Sequence, residues 1–192
     1  QVLLRLSPPD NERLSRGDTF VKQVGGAELN VAVGASLLGL HTGVISKLPA
    51  HDIGSFMKGK IRSFGVSDDF FMYDQSSSAR VGIYYYENGA YPRKPKVIYD
   101  RQHSSFFSLS LDEIPEEVYT ASKCFHTTGI TLALSPQIRE TTTEMIKRFK
   151  EAGTLVSFDV NYRANLWSGD EAREAILKIL PYVDIFFCSE ET

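Results

Sequence analysis

Short apolar runs alternate with stretches of helical periodicity along most of the chain. The apolar runs predict strands at residues 2–6, 19–24, 43–48, 123–127, 154–160 and 183–188. The periodic stretches predict helices at 27–40, 52–64, 136–152 and 169–180. Strands alternating with helices indicate an α/β fold with a mostly parallel sheet, in which ligands bind beyond the C-terminal ends of the strands.

The predicted helices carry signals at their ends. The helix over 27–40 is apolar on nearly every face, which is typical of a buried helix. Asp52 is the expected N-cap of the second helix, and Ser135-Pro136 gives the third an N-cap followed by proline. The segment 168–171, Ser-Gly-Asp-Glu, is a capping box that opens the fourth.

Residues 66–107 lack a helical period. Val81, Ile83 and Tyr85 alternate with Gly82, Tyr84 and Tyr86, which is the period of a strand. A second strand is expected over 97–101, after the turn signal Asn88-Gly89. We therefore predict a small antiparallel sheet outside the main layer. Its connecting loop carries basic residues that we expect to be solvated, namely Arg93, Lys94 and Lys96.

The composition is that of a globular chain, with 42% hydrophobic and 23% charged residues. The net charge of −3, from 21 basic and 24 acidic residues, gives no broad attraction to nucleic acid or anionic lipid. No apolar run approaches the roughly 18 residues of a membrane span.

The two cysteines, Cys124 and Cys188, lie in no CxxC or Cys/His cluster and are expected in the core. A disulfide scaffold and a zinc site are therefore not predicted, and no other metal ligand set is recognised. This cysteine usage and the lack of a visible signal peptide favour a cytoplasmic protein. Both termini border apolar runs, so we expect the chain to be part of a longer protein.

The segment Gly25-Gly26-Ala27-Glu28-Leu29-Asn30 joins a predicted strand to a predicted helix. Two glycines permit a ligand to approach the backbone, and the helix start offers free N–H groups. A tight turn before a core helix explains the same residues equally well. Neither a Walker P-loop nor a GxGxxG motif occurs in the chain.

The strands predicted between residues 81 and 101 carry several tyrosines and an arginine. Tyr99 and Arg101 are two residues apart, as are Tyr84 and Tyr86, so each pair is expected on one strand face. Such a face can bind a polyhydroxylated acid, because an arginine grips a carboxylate with two hydrogen bonds. The local pattern alone favours a solvated face with a salt bridge such as Arg101 to Asp100.

The segment Asp159-Val160-Asn161-Tyr162-Arg163 follows a strand predicted to be central in the sheet. Asn161 and Arg163 are suited to phosphate or carboxylate oxygens, and the position favours a ligand site. A capping aspartate beside a surface arginine is the alternative. His126 is expected to be packed and hydrogen-bonded, while Trp167 is expected either to pack on the fourth helix or to shelter a pocket.

Several of these segments together resemble the ribokinase-like (PfkB-type) carbohydrate kinases, most specifically the branch that acts on 2-keto-3-deoxygluconate. The resemblance covers nearly the whole chain and rests on residues 25–30, 80–85, 97–101, 126–130, 158–163 and 166–167. It implies that 1–192 is the N-terminal part of one three-layer α/β kinase domain, incomplete at its C-terminus. It also implies a β-sheet lid, drawn from about 1–24 and 66–107, through which such proteins often form homo-oligomers.

The resemblance implies transfer of the γ-phosphate of ATP, with Mg²⁺, to the 6-hydroxyl of 2-keto-3-deoxygluconate. It places Asn161, Arg163 and Ser189 on the nucleotide side, with Arg163 also facing the transferring phosphate. The implied substrate-binding residues are Gly26, Asn30, Tyr84, Tyr99, Arg101, Ile130 and Arg163. The catalytic aspartate belongs to a Gly-Ala-Gly-Asp segment that the family carries beyond the position of Thr192, so this chain alone is predicted to be inactive.

Charge gives an independent reason to prefer an acid substrate. Burying a sugar carboxylate requires a cationic partner, which Arg101 and Arg163 can supply, whereas a neutral sugar requires none. A kinase for fructose or ribose and a non-catalytic sugar-acid-binding protein are the alternatives.

Overall fold

The computed structural model describes residues 1–190 and divides the chain into two compact units, Gln1–Phe106 and the part from Phe107 onward. The helices of the first unit are α1 (Ala27–Leu37) and α2 (Asp52–Arg62). Its strands are β1 (Leu3–Ser7), β2 (Val21–Gly25), β3 (Thr42–Gly43), β4 (Ser46–Pro49), β5 (Val66–Ser67), β6 (Phe71–Asp74), β7 (Ile83–Glu87) and β8 (Lys96–Asp100).

The first unit contains a four-stranded sheet in the order β2-β1-β7-β8. Strands β7 and β8 pair antiparallel, as predicted, but β7 pairs in parallel with β1. Strands β5 and β6 lie in parallel pairs with β3 and β4. The prediction of one small antiparallel sheet over 66–107 is therefore wrong in part, because a period of two identifies a strand without identifying its partner.

One face of the four-stranded sheet packs into a hydrophobic core. Leu4 is buried there, and Leu6, Val24 and Ile83 pack against the same cluster. Helix α2 contributes two completely buried side chains, Met57 and Ile61. Burying a side chain of this size stabilises a fold by about 1.5–3 kcal/mol.

Helix α1 is less buried than its composition predicts. Leu29 is the buried residue of Ala27–Leu37, whereas Val31 and Leu37 are exposed. Leu38 and Leu40, just after the helix, are exposed as well. The prediction of a buried helix is wrong for this structure. Apolar residues on every face of a helix favour burial, but the sequence of the helix does not show which other elements pack against it.

The second unit is built on a parallel sheet in the order β11-β10-β9. Its strands are β9 (Cys124–Thr128), β10 (Leu155–Asp159) and β11 (Ile185–Phe187). The central position predicted for the strand before Asn161 is confirmed. The helices are α3 (Glu117–Ala121), α4 (Gly129–Ala133), α5 (Pro136–Glu151) and α6 (Gly169–Ile179).

The helix caps of the second unit are as predicted. The Ser135 hydroxyl accepts the Ile138 N–H at 3.2 Å, with Pro136 as the first residue of α5. Ser168 and Glu171 form the capping box of α6. In the first unit, however, the N-cap of α2 is His51, whose Nδ1 accepts the Ile53 N–H at 3.2 Å. Asp52 is instead the first helical residue.

Two further expectations are corrected. The strand predicted over 43–48 is split into β3 and β4, which have different partners. Cys124 and Cys188 are exposed rather than buried in the core. Cys124 begins β9, and Cys188 follows β11, whose residues are all exposed. In the described residues, no helix is long and apolar enough to cross a bilayer.

The basic loop after β7 is anchored rather than simply solvated. Arg93 pairs with the buried carboxylate of Glu87 and donates to the Asn11 carbonyl at 2.6 Å. The Leu14 N–H also donates to Glu87, at 2.8 Å. The bond from Leu14, assisted by Arg93, holds the pKa of Glu87 below its ordinary value. Glu87 thus ties two long loops to one strand end.

This pairing predicts a pH-dependent contribution to stability. Because the pKa of Glu87 is lower in the folded chain, its ionised form stabilises the fold above pH of about 4.3, and the contribution is lost as the pH falls through the folded pKa. We expect Glu87→Gln in the complete gene product to have a lower free energy of unfolding at pH 7. That deficit should shrink in acid, as measured by urea unfolding. Glu116→Gln, at an exposed salt bridge to Arg148, is the control expected to show little change at any pH.

Candidate functional site

The face of the four-stranded sheet opposite the core carries a row of polar and aromatic side chains. The register pairs Arg5 with Tyr84, and Tyr84 with Tyr99, so the three lie side by side. The Tyr84 and Tyr99 ring centroids are 6.0 Å apart. The Arg5 guanidinium carbon lies 4.2 Å from the centroid of the Tyr86 ring. The prediction that Tyr84 and Tyr86 share a face is therefore confirmed.

Arg101 lies at the end of this row, directly after β8. Its guanidinium carbon is 4.7 Å from the centroid of the Tyr99 ring, so the predicted proximity of the two residues is confirmed. Arg101 is only 9% exposed, whereas Tyr99 is 47% exposed. Asp100, the partner suggested for Arg101, forms a salt bridge with Arg80 at 2.8 Å. The solvated-face interpretation is therefore wrong for Arg101.

The two glycines before α1 allow close contacts that larger residues would prevent. Gly26 is the N-cap, and its φ of +148° is one that glycine tolerates and other residues rarely adopt. A Cβ on Gly26 would lie 2.6 Å from the Gln1 carbonyl oxygen. One turn into the helix, the Asn30 N–H donates to the Gly26 carbonyl at 2.9 Å, and the Asn30 side chain is exposed.

Tyr84 reaches from the polar face to this glycine pair. A Cβ on Gly25 would lie 2.3 Å from the Tyr84 Oη atom. Burial raises the pKa of Tyr84, and Arg5 opposes that shift only partly. The hydroxyl is therefore protonated at neutral pH and able to donate a hydrogen bond.

In the second unit, the predicted site residues follow three adjacent parallel strands. Ile130 comes just after β9, Asn161 and Arg163 after β10, and Ser189 after β11. Asp159 of β10 is in register with Thr128 and with Phe187, so the three strands end at the same edge. The sheet thus brings these four residues to the edge where ligands bind in parallel sheets.

The segment after β10 is held by local hydrogen bonds. Asp159 Oδ1 accepts the Asn161 N–H at 3.1 Å, and Asn161 has a φ of +37°. Asp159 therefore shapes this turn instead of capping a helix, which the alternative explanation had expected. Arg163 is exposed, and its Nη1 donates to the Tyr162 carbonyl at 3.0 Å. The Tyr162 hydroxyl donates to the Trp167 carbonyl at 3.3 Å, which closes the segment.

Trp167 and Gly129 fix this segment against the start of α4. Trp167 is 5% exposed, and Arg139 stacks on its ring at 5.4 Å. A Cβ on Gly129 would lie 2.1 Å from the Val160 carbonyl oxygen and 3.6 Å from the Trp167 ring. The absence of a side chain at Gly129 thus lets the two strand ends approach each other.

Arg5, Gly82 and Gly129 also shape the site, although local sequence gives none of them a functional role of its own. Arg5 lies on the polar face, and its signal was the alternation Leu4-Arg5-Leu6. Gly82 faces Arg101, since a Cβ there would lie 3.1 Å from the Arg101 Cβ. Gly129 was noted only within the His126–Ile130 segment. Glycines of this kind are inconspicuous in a sequence because their importance depends on a neighbour remote in the chain.

His126 has the structural role that was predicted. Its Nδ1 lies 2.9 Å from the Ser157 hydroxyl on the neighbouring strand β10. Within residues 1–190, no group of three or more His, Cys, Asp or Glu side chains is placed to hold a metal ion.

Comparison with known proteins identifies the family. The model of the pfkB family carbohydrate kinases matches residues 2–192. This chain belongs to the pfkB family of carbohydrate kinases. As a pfkB-family chain, it is 40% identical over 190 residues to a 2-dehydro-3-deoxygalactonokinase of Haloferax volcanii, covering 99% of this chain and 59% of that protein.

Solved pfkB-type structures have the same fold. The 2-dehydro-3-deoxygluconokinase of Thermotoga maritima superposes with a TM-score of 0.94 at 36% identity, covering all of this chain and 58% of that one. A Pyrococcus horikoshii sugar kinase in complex with ATP gives 0.85 at 27% identity, again over all of this chain and 62% of that one. The predicted α/β, ribokinase-like fold class is therefore confirmed, and the chain spans about three fifths of the length of these relatives.

The contact at Gly129 predicts a stability effect. Gly129→Ala would place a Cβ against the Val160 carbonyl, so we expect the complete gene product to lose about 1–3 kcal/mol of unfolding free energy. Gly169→Ala is the matched control, because a Cβ there meets nothing within 4 Å. It should leave stability unchanged or raise it by up to about 1 kcal/mol. Equal urea-unfolding midpoints for the two variants would contradict the assignment of Gly129.

Proposed function

We propose that the complete protein is a sugar-acid kinase that transfers the γ-phosphate of ATP to the 6-hydroxyl of 2-keto-3-deoxygluconate. The observation that carries the proposal is the guanidinium of Arg101, nearly buried against Tyr99 at the end of the polar row. The family and the names of its sugar-acid-specific relatives support the same substrate class.

The polar row has the chemistry that a sugar acid requires. A guanidinium offers a carboxylate two parallel hydrogen bonds, and low exposure strengthens such charge-assisted bonds because water competes less. Tyr84 and Tyr99 add hydroxyl groups for sugar oxygens and ring surface for the apolar edge of the sugar. Gly26 and Asn30 would contact further sugar hydroxyls from the start of α1.

We assign the nucleotide side to the strand ends of the second unit. Asn161, Arg163 and Ser189 would supply amide, guanidinium and hydroxyl donors to phosphate oxygens, and Ile130 of the same unit stays a predicted sugar-binding residue. Mg²⁺ would enter on the ATP phosphates and neutralise their charge.

The chain's own residues would act by binding and positioning. Holding the acceptor hydroxyl in line with the γ-phosphate is the main requirement of phosphoryl transfer, together with charge stabilisation and a base. Arg163 would stabilise the developing charge on the transferring phosphate. The base would be the aspartate of the family's Gly-Ala-Gly-Asp segment, beyond position 192, so we propose that this chain alone does not turn over.

Two features of the proposal concern the setting rather than the chemistry. We place the enzyme in the cytoplasm, where its donor ATP is available. We also propose a homo-oligomer formed through the four-stranded sheet, whose outer strands expose Val21, Val97 and Ile98.

Turnover assays test the substrate class. We expect the complete gene product with Mg-ATP to release ADP in the presence of 2-keto-3-deoxygluconate or its galactonate epimer, and only weakly with ribose or fructose. Comparing the two epimers decides between the substrates named for the relatives. The 192-residue chain alone should give no turnover. A preference for a neutral sugar would identify the alternative kinase, and binding of the acid without turnover would identify a non-catalytic binder.

Arginine substitutions test the assigned roles. Arg101→Ala should raise KM for the sugar acid about 30-fold or more, because truncating one partner of a buried charge pair costs about 2–5 kcal/mol. Arg163→Ala should mainly lower kcat, because its interaction strengthens in the transition state. Arg173→Ala, at an exposed position on α6, is the control expected to behave as wild type. An unchanged KM in Arg101→Ala would refute the carboxylate site.

A further inference from the structure

We propose that Gly25 is a positioning residue. Because Gly25 has no side chain, the Tyr84 hydroxyl can lie against it, beside the start of α1. This inference rests on the proposed function, in which Tyr84 binds the sugar acid, and it adds a residue that determines where that hydroxyl lies.

The contact between the two residues is too close for any other amino acid at position 25. A Cβ there would lie 2.3 Å from the Tyr84 Oη atom and 3.1 Å from both Cε1 and Cζ of the ring. Carbon and oxygen atoms that are not bonded do not approach to 2.3 Å, so either the ring or strand β2 would have to move. These three nearest atoms all belong to the Tyr84 side chain, so that side chain is the obstacle to a Cβ at position 25.

Backbone conformation is not the reason for glycine at this position. Gly25 ends β2 and pairs with Leu3, and it is absent from the described glycines that have a positive φ. Gly26, its neighbour, has the unusual backbone. Alanine at position 25 is therefore acceptable to the backbone, and substituting it probes the contact with Tyr84 alone.

Tyr84 has little freedom to yield without leaving its position. Its ring lies in the row between Arg5 and Tyr99, whose ring centroid is 6.0 Å away, and the side chain is half-buried. A Cβ at position 25 would displace the hydroxyl from its place against Gly25. A ligand hydrogen bond made by that hydroxyl would then be lengthened or lost.

Two other glycines in the first unit, Gly34 and Gly43, lack such a contact. A Cβ on Gly34 would meet nothing within 4 Å, and one on Gly43 would meet its nearest neighbour at an ordinary 3.6 Å. The nearest atoms at Gly25 belong to the Tyr84 side chain, whereas the nearest atoms at Gly26 and Gly54 are backbone carbonyl oxygens. Gly34→Ala supplies a matched control that adds the same methyl group in the same unit.

A double-mutant cycle in the complete gene product tests the pairing. Gly25→Ala should raise KM for the sugar acid about tenfold, as expected for one lost hydrogen bond, with kcat and KM for ATP within about twofold of wild type. Tyr84→Phe should have a similar effect. Gly25→Ala combined with Tyr84→Phe should be no worse than Tyr84→Phe alone, because the atom at 2.3 Å is gone. Gly34→Ala should have the wild-type KM.

Several results would overturn the inference. A wild-type KM for the sugar acid in Gly25→Ala would exclude a positioning role. So would effects on KM that simply multiply in the double variant, or a fall in kcat with the KM for the sugar acid unchanged. Should Gly25→Ala not fold, the calorimetric Kd for the sugar acid is compared between the double variant and Tyr84→Phe, and weaker binding by the double variant overturns it. If the wild type phosphorylates only a neutral sugar, the proposed function is wrong but the positioning role of Gly25 can still be tested. The same double-mutant cycle is then measured with the KM for that neutral sugar.

Discussion

The pairing of β1 between β2 and β7 is the constraint on which the first unit depends. It joins segments about eighty residues apart, with Arg5 opposite Tyr84 and Leu4 opposite Ile83. Because side chains alternate along a strand, this register sends Leu4 and Leu6 into the core and Arg5 to the polar face. A shift by one residue would exchange the two faces, so the same hydrogen bonds that secure the core also assemble the arginine and tyrosine row.

In the second unit, parallel strands bring the predicted site residues together. Three strands end in register, which places the residues that follow them along one edge. A parallel sheet needs long crossover connections, and α5 and α6 provide them with well-formed caps. The loops at the edge are then fixed by small features, namely the Asp159 turn, the Tyr162 hydroxyl and the missing side chain of Gly129.

Absent side chains matter as much as present ones in this chain. Gly25, Gly82 and Gly129 each lie within van der Waals distance of a group that the proposed site uses or rests upon. The polar residues alone do not fix these positions. A methyl group on any of the three glycines would displace the group that lies against it. The geometry of the site residues therefore depends on close packing inside each unit as well as on the polar residues themselves.

Local sequence determined most of the longer elements, the caps at Ser135 and Ser168, and the shared face of Tyr84 and Tyr86, because periodicity and capping act between residues a few positions apart. The motifs likewise indicated the family. Only the tertiary structure decided that β7 pairs with β1, that Arg101 is buried while Leu37 and the cysteines are exposed, and that Glu87 receives Arg93. Burial, ion-pair partners and close contacts at glycine depend on residues distant in the chain. A local sequence pattern does not show which distant residues will be neighbours in the fold.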